Sequence, residues 1–274
     1  MTEIWMGYQR FVALGDSCTE GLHDRYPGSE RYRGWADLAA MVLAGRDPEF
    51  RYANLGVRGR RLDQIIVEQV PTALDLRPDL VALFGGANDV LTRNFRPEVV
   101  ATRVDAALRI LTRAAPTVVV FTISDVSSRM PGVLRVRSRL EALNDAIRSA
   151  TAEHGALLVD LWEEEAVHDL RYFGPDRLHL SAPGHRRLAA HLLNRLDIAC
   201  DPAWLAPLPG APLDPGLQAH LKWMWREVLP VAVTRTRGWF TGRSPGDGVM
   251  PKRPELLPVL ADELNKWSAI PGNV

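Results

Sequence analysis

The sequence has little of what marks several protein classes. Its 274 residues include only two cysteines, Cys18 and Cys200, too few for a disulfide framework. Acidic and basic residues number 33 each, so the formal net charge is zero. A general nucleic-acid-binding protein normally carries a strong basic excess. We therefore expect neither a disulfide-stabilised scaffold nor a nucleic-acid partner.

Long apolar runs are also missing. No stretch approaches the roughly 18 apolar residues that a membrane-spanning helix needs, so no span is predicted. The first residues lack an apolar stretch of signal-peptide length, and residues 11–14 already have the pattern of a core strand. These features predict a cytoplasmic location.

Metal and cofactor motifs are absent as well. No glycine-rich phosphate loop is present, because the 56–59 segment lacks the lysine and the spacing that such a loop needs. Six histidines show no metal-ligand spacing, so we expect no metal and no cofactor. They are His23, His154, His168, His185, His191 and His220.

Apolar segments alternate with helical patterns along the first 200 residues. Five continuous apolar runs suit strands buried on both faces, at 11–14, 50–55, 80–84, 117–123 and 156–161. Between and after them, apolar residues recur at helical spacing near 35–42, 100–111, 140–147 and 188–193. Such alternation predicts right-handed βαβ units and a three-layer, doubly wound α/β sheet.

Polar motifs follow several of these strands. Ser17 in Gly-Asp-Ser comes directly after the first strand, and the segment Asp176-Arg-Leu-His179 precedes the last helix. A serine hydroxyl becomes a good nucleophile when a base takes its proton, and an imidazole suits this because its pKa lies near working pH. Each motif alone is also compatible with an ordinary turn and an incidental loop histidine.

Two further motifs end the second and third strands. Gly56 lies in Asn54-Leu-Gly, and Asn88 lies in Gly-Ala-Asn-Asp. A glycine N–H and an asparagine amide, together with the Ser17 N–H, are donors suited to an oxyanion. Turn formation alone would also explain the glycines. We expect the side chains of Asp16, Asn54 and Asp89 to support the loops by hydrogen bonding.

These four motifs, in this order, resemble the SGNH/GDSL hydrolases, a family of serine esterases and lipases, over roughly residues 9 to 198. The resemblance implies a five-stranded parallel sheet of flavodoxin-like order. It also implies that Ser17 is the nucleophile, His179 the base, and Asp176 the carboxylate that orients the base. Asn88 matches the family pattern for an oxyanion donor.

The remaining quarter of the chain differs in composition. Eleven of 20 prolines and five of eight tryptophans lie between 201 and 274. We predict a hydrolase domain at 1–200 and an irregular, partly helical extension at 201–274, with one short helix near 217–228 and no long regular element from 234 to 258. The extension is interpreted as a folded appendage with inward-facing tryptophans; a lid, a homo-oligomer contact and a patch for anionic surfaces are the alternatives.

The leading functional prediction is a cofactor-independent serine hydrolase that cleaves small-molecule carboxylic esters or thioesters through an acyl-enzyme. The alternative is a non-catalytic binding or scaffold protein that acts through its basic, tryptophan-rich extension. The sequence does not name the substrate, since one fold of this kind serves many chemistries.

Overall fold

The strands of the protein form one twisted sheet. The computed structural model describes residues 7–26, 28–126, 129, 134–213, 216–230 and 245–259. Within them the strand order is β5-β4-β3-β1-β2-β6. The six strands are β1 (Arg10–Gly15), β2 (Arg51–Asn54), β3 (Leu80–Phe84), β4 (Thr117–Phe121), β5 (Leu157–Val159) and β6 (Arg253–Pro258).

The first five strands confirm the predicted α/β fold and its flavodoxin-like order. All of their pairings are parallel, and the side chains of 11–14 and 80–82 are completely buried. Burial on both faces explains why these segments are continuously apolar. β1 is slightly longer than its apolar run and β3 matches its run, whereas β2, β4 and β5 are shorter than the runs that predicted them.

The predicted number of strands was wrong, because the sheet has six. The extension supplies β6, which pairs antiparallel with β2 and places Tyr52 opposite Leu257. The glycine and proline content of 234–258 predicted no long regular element, and β6 is a short strand at the end of this range. Proline is tolerated in an edge strand, where one side needs no ladder hydrogen bond, and β6 pairs only with β2.

The helices cover both faces of the sheet. Right-handed crossovers put α2 on one face and α6 and α7 on the other, and the contacts of α2 with α8 and of α6 with α7 agree with this. The helices are α1 (Ser17–Glu20), α2 (Trp35–Ala44), α3 (Leu62–Gln64), α4 (Val70–Asp75), α5 (Ala87–Val90), α6 (Pro97–Ala114), α7 (Leu134–His154), α8 (Ala182–Arg195) and α9 (Gly216–Trp223). Two π-helical segments, Ile65–Gln69 and Met224–Val228, continue α3 and α9, and 3-10 turns lie at Glu165–His168, Leu170–Tyr172 and Pro202–Trp204.

Charged side chains attach the extension to the rest of the chain. Lys252 donates to Asp37 Oδ2 at 2.5 Å, and Arg60 Nη1 donates to Asp247 Oδ1 at 2.9 Å. A Cβ added at Gly246 would lie 2.1 Å from the Arg58 carbonyl oxygen. The extension therefore runs directly against the loop that follows β2. No helix within the described ranges combines the length and the apolar character needed to cross a membrane.

Candidate active site

Ser17, His179 and Asp176 lie in one hydrogen-bonded row at the carboxyl ends of the strands. His179 Nε2 lies 2.8 Å from Ser17 Oγ, and His179 Nδ1 lies 2.5 Å from Asp176 Oδ2. Ser17 begins α1 directly after β1, whereas the other two residues occupy the loop before α8. The fold thus joins residues that are 162 positions apart in the sequence.

Hydrogen bonds keep the Asp176 carboxylate ionised. Burial alone would raise the pKa of Asp176, but hydrogen bonds from His179, His23 and the Leu178 backbone hold it well below its usual range. Its second oxygen, Oδ1, accepts the backbone N–H groups of Leu178 and His179, each at 3.0 Å. An ionised, fixed carboxylate beside Nδ1 sets the imidazole tautomer that leaves Nε2 facing the serine as an acceptor.

The turn that presents Ser17 is tightly constrained. Gly15 has φ +151°, and a Cβ there would lie 2.1 Å from the Phe84 carbonyl oxygen, so only glycine fits between β1 and β3. The buried amide of Gln69 accepts from the Gly15 N–H and donates to its carbonyl oxygen, both at 2.8 Å. Gln69 could not be recognised from the sequence, because nothing in its local pattern indicates a contact 54 residues away.

The Asp16 carboxylate accepts hydrogen bonds from the first turn of α1 and from the Asn88 side-chain amide. Its Oδ1 accepts the Cys18 N–H at 3.1 Å, and its Oδ2 accepts from Asn88 Nδ2 at 3.1 Å. Burial raises the pKa of Asp16 to about 6, against the lowering effects of the Cys18 N–H, the His179 imidazole and the Asn88 amide. Asn88 also donates to the Arg60 carbonyl oxygen at 3.2 Å, so an oxyanion would replace one of these bonds.

Gly56 and Gly59 occupy different places in the loop after β2. The Gly56 N–H donates to Asn54 Oδ1 at 3.0 Å, and Gly56 is absent from the wall of the cavity beside Ser17, which includes Gly59 and Asn88. Gly59 has φ +75°, a left-handed conformation that favours glycine. The signal for Gly59 was visible as a second glycine of the same loop, but nothing in the sequence ranked it above Gly56.

Asn54 and Asp89 support the surrounding loops. The fully buried Asn54 amide donates to the Thr19 carbonyl oxygen and the Tyr52 hydroxyl, both at 2.8 Å. Asp89 accepts the Leu62 N–H at 2.9 Å and an Arg103 N–H at 3.1 Å. Both side chains therefore hydrogen-bond to neighbouring segments, and their supporting role stays a prediction.

A cavity of about 730 Å³ opens beside Ser17. Its wall is mainly apolar and combines the ends of β3 and β4 with side chains from α7, α8 and the extension. Apolar residues of this wall include Phe84, Val90, Ile123, Leu140, Leu161, Phe173, Leu188 and Trp223. A mainly apolar pocket with a few convergent polar groups is the usual form of a small-molecule site.

The extension contributes to this cavity through one face of α9 and its π-helical continuation. Trp223 is buried, lines the cavity and stacks on the Arg177 guanidinium at 4.6 Å. Trp225 is 71% exposed, so the inward orientation predicted for the tryptophans is wrong at this position. Trp239 and Trp267 lie outside the described residues.

One group of potential metal donors lies away from Ser17, between α6 and α7. Donor atoms of Asp105, Glu153 and His154 lie within 4.8 Å of one another. Exposed sets of this kind are frequent on helical surfaces, and the expectation that the protein needs no metal or cofactor stays a prediction.

Comparison with known proteins identifies the class. The model of the GDSL-like lipase/acylhydrolase family matches residues 13–187, and the chain belongs to this family. It is therefore an enzyme of the esterase/lipase type that acts on ester bonds. The alternative of a non-catalytic scaffold is not supported, because the family is enzymatic.

Solved structures share the fold. An α/β hydrolase from the metagenome of Lake Arreo is 24% identical to this chain, with a TM-score of 0.58. The match covers 70% of this chain and 97% of the chain of that hydrolase. A lipase/acylhydrolase from Enterococcus faecalis is 24% identical with a TM-score of 0.56, and the match covers 69% of this chain and 95% of that enzyme. An acetylxylan esterase from Geobacillus stearothermophilus is 21% identical with a TM-score of 0.55, covering 70% and 96%. No curated protein sequence matches the chain.

Proposed function

We propose that the protein hydrolyses carboxylic esters, or thioesters, through an acyl-enzyme on Ser17. The observation that carries this proposal is the row of contacts from Asp176 through His179 to Ser17, at 2.5 and 2.8 Å. His179 Nε2 takes the hydroxyl proton as Ser17 Oγ attacks the acyl carbon, and it then delivers that proton to the departing alcohol or thiol. Water, deprotonated by the same imidazole, releases the acid and restores the serine.

Three donors would stabilise the oxyanion. They are the Ser17 N–H, the Asn88 amide and the Gly59 N–H, which takes the role first expected of Gly56. The reason for preferring Gly59 is its position, because Gly59 lines the cavity together with Ser17 and Asn88, whereas Gly56 does not. Preorganised donors aimed at developing charge supply a large part of acyl-transfer catalysis.

The cavity favours a substrate with an apolar portion. Its wall beside Ser17 is built largely from aliphatic and aromatic side chains, and burying each methylene is worth about 0.8 kcal/mol. An ester whose acyl chain reaches this wall should therefore react with a higher kcat/KM than an acetate. The acetyl group of the xylan substrate named for the Geobacillus neighbour would leave most of such a wall unused.

Labelling tests the nucleophile. A fluorophosphonate probe is expected to modify wild-type protein at Ser17, and Ser17→Ala is expected to lose both labelling and hydrolysis of p-nitrophenyl butyrate. Ser124→Ala is the matched control, because Ser124 lines the same cavity without contacting His179 in the proposed row. Labelling that persists in Ser17→Ala would refute the assignment.

Two neighbouring tryptophans test the apolar wall. Trp223→Ala should lower kcat/KM for p-nitrophenyl decanoate and leave the acetate nearly unchanged, because Trp223 faces the cavity. Trp225→Ala, at a position exposed to solvent, should change neither. Equal behaviour of both variants on both esters would exclude the extension from the substrate site.

A cytoplasmic location and an oligomer formed through the extension stay predictions, as does the division of the chain at residue 200.

A further inference from the structure

A second imidazole contacts the carboxylate that orients His179. His23 Nε2 lies 3.1 Å from Asp176 Oδ2, the same oxygen that His179 Nδ1 approaches at 2.5 Å. Because a carboxylate oxygen accepts, both imidazole nitrogens donate to it. We propose that His23 is a positioning residue that holds Asp176 for His179. This inference rests on the roles proposed above for Asp176 and His179.

The backbone around His23 is held in an uncommon conformation. His23 has φ 66°, in the left-handed region that few non-glycine residues adopt. On one side, the Leu22 carbonyl oxygen accepts from the buried His185 Nε2 at 3.1 Å. On the other, Asp24 accepts Arg33 Nε and Nη2 at 2.9 and 2.7 Å within the protein interior. Such conformations persist where the surroundings over-determine them, and they concentrate at functional sites.

The loop that carries Asp176 is shaped to receive the His23 ring. A Cβ added at Gly174 would lie 2.8 Å from His23 Cγ, so the imidazole lies directly on the loop backbone. The Gly174 N–H in turn donates to the His179 carbonyl oxygen at 2.8 Å. His23 therefore packs against the same short loop whose conformation sets the positions of Asp176 and His179.

The charges around His23 favour its protonation. The hydrogen bond to Asp176 raises the pKa of His23, and burial lowers it. The charge of Glu227, on the π-helical segment, raises this pKa further, whereas the charge of Arg25, on the same loop as His23, lowers it. The His23 and His179 ring centres lie 5.5 Å apart. These surroundings favour an imidazolium at His23 whose N–H donates to the Asp176 carboxylate.

Two substitutions separate the hydrogen bond from the charge. His23→Gln keeps an uncharged N–H donor close to the Nε2 position, whereas His23→Phe keeps the ring volume and has no donor. We expect His23→Phe to lower kcat by about 10- to 100-fold, because misplaced catalytic groups cost on this order, with KM little changed. His23→Gln should recover most of kcat. Thermal melting of both variants confirms that they are folded.

Rescue by glutamine provides the reading that a purely structural role would not give. An effect on kcat alone, with KM little changed in both variants, separates the positioning of Asp176 from a loss of substrate binding.

The chain offers a matched histidine–aspartate pair away from Ser17. His154 Nε2 contacts Asp105 Oδ1 at 2.7 Å, and His154→Gln should leave kcat unchanged. Wild-type kcat in His23→Phe would overturn the positioning role, and so would a His23→Gln variant that is no more active than His23→Phe. Failure of the proposed function itself is distinguished by Ser17→Ala or His179→Ala retaining hydrolysis.

Discussion

Replacement of Lys252 by methionine is expected to loosen the extension from the hydrolase fold. The Lys252 ammonium donates to Asp37 Oδ2 at 2.5 Å and to the Tyr32 carbonyl oxygen at 3.2 Å, and it also contacts the Arg33 carbonyl oxygen. The two side chains of the pair are only 17% and 9% exposed. Methionine keeps the length of the side chain, so the variant removes the charge while leaving most of the packing.

The expected loss of stability follows from the Asp37 carboxylate, which is left buried without its partner. Breaking a buried ion pair by removing one partner costs about 3–5 kcal/mol, and the partial exposure of Lys252 places this pair near the lower end. A loss of about 3 kcal/mol corresponds to a fall in melting temperature of roughly 6–12 °C for a chain of this size class. The double variant Lys252→Met with Asp37→Asn should recover part of the loss, because no uncompensated charge remains.

Calorimetry and urea unfolding at pH 7 measure this effect, and limited proteolysis reports whether the extension becomes accessible. Lys222→Met is the control, because Lys222 is exposed on α9 and surface substitutions usually change stability by less than about 0.5 kcal/mol. A Lys252→Met protein that melts with the wild type, and resists protease equally, would refute the conclusion that this pair attaches the extension.

Two further predictions concern the catalytic end of the sheet. Asn88→Ala should lower kcat by about 10²–10³ with a nearly unchanged melting temperature, as for loss of one oxyanion donor. Steady-state kinetics with p-nitrophenyl butyrate measures the loss. An unchanged kcat would show that Asn88 only supports its loop. Asp16 has a pKa of about 6 when folded against a usual value of 3.8, so the folded state binds the extra proton between these values. Wild type should therefore gain stability relative to Asp16→Asn as pH falls from 7 to 4, by up to about 3 kcal/mol; urea unfolding curves that run parallel over this range would contradict it.

Much of the architecture could be predicted because its causes are local. Strands buried on both faces must be apolar throughout, which made β1 and β3 visible as runs of apolar residues. Ser17 could be recognised because Gly-Asp-Ser follows the first apolar run and stands with three further motifs in the order that resembles the SGNH/GDSL family. By contrast, β6 contains two prolines, and its strand conformation depends on pairing with β2, which no local pattern records.

In the candidate active site, too, some features could be predicted from the sequence and others depend on tertiary packing. The order of the motifs determined which residues meet, since the carboxyl ends of parallel strands share one edge of the sheet. Tertiary structure alone decided that Gly59, and not Gly56, borders the cavity, because the wall is assembled from segments distant in the chain. It also brought His23 onto Asp176 across 153 residues. Local sequence carries the preferences of single elements, whereas such contacts exist only once loops distant in the chain are packed together.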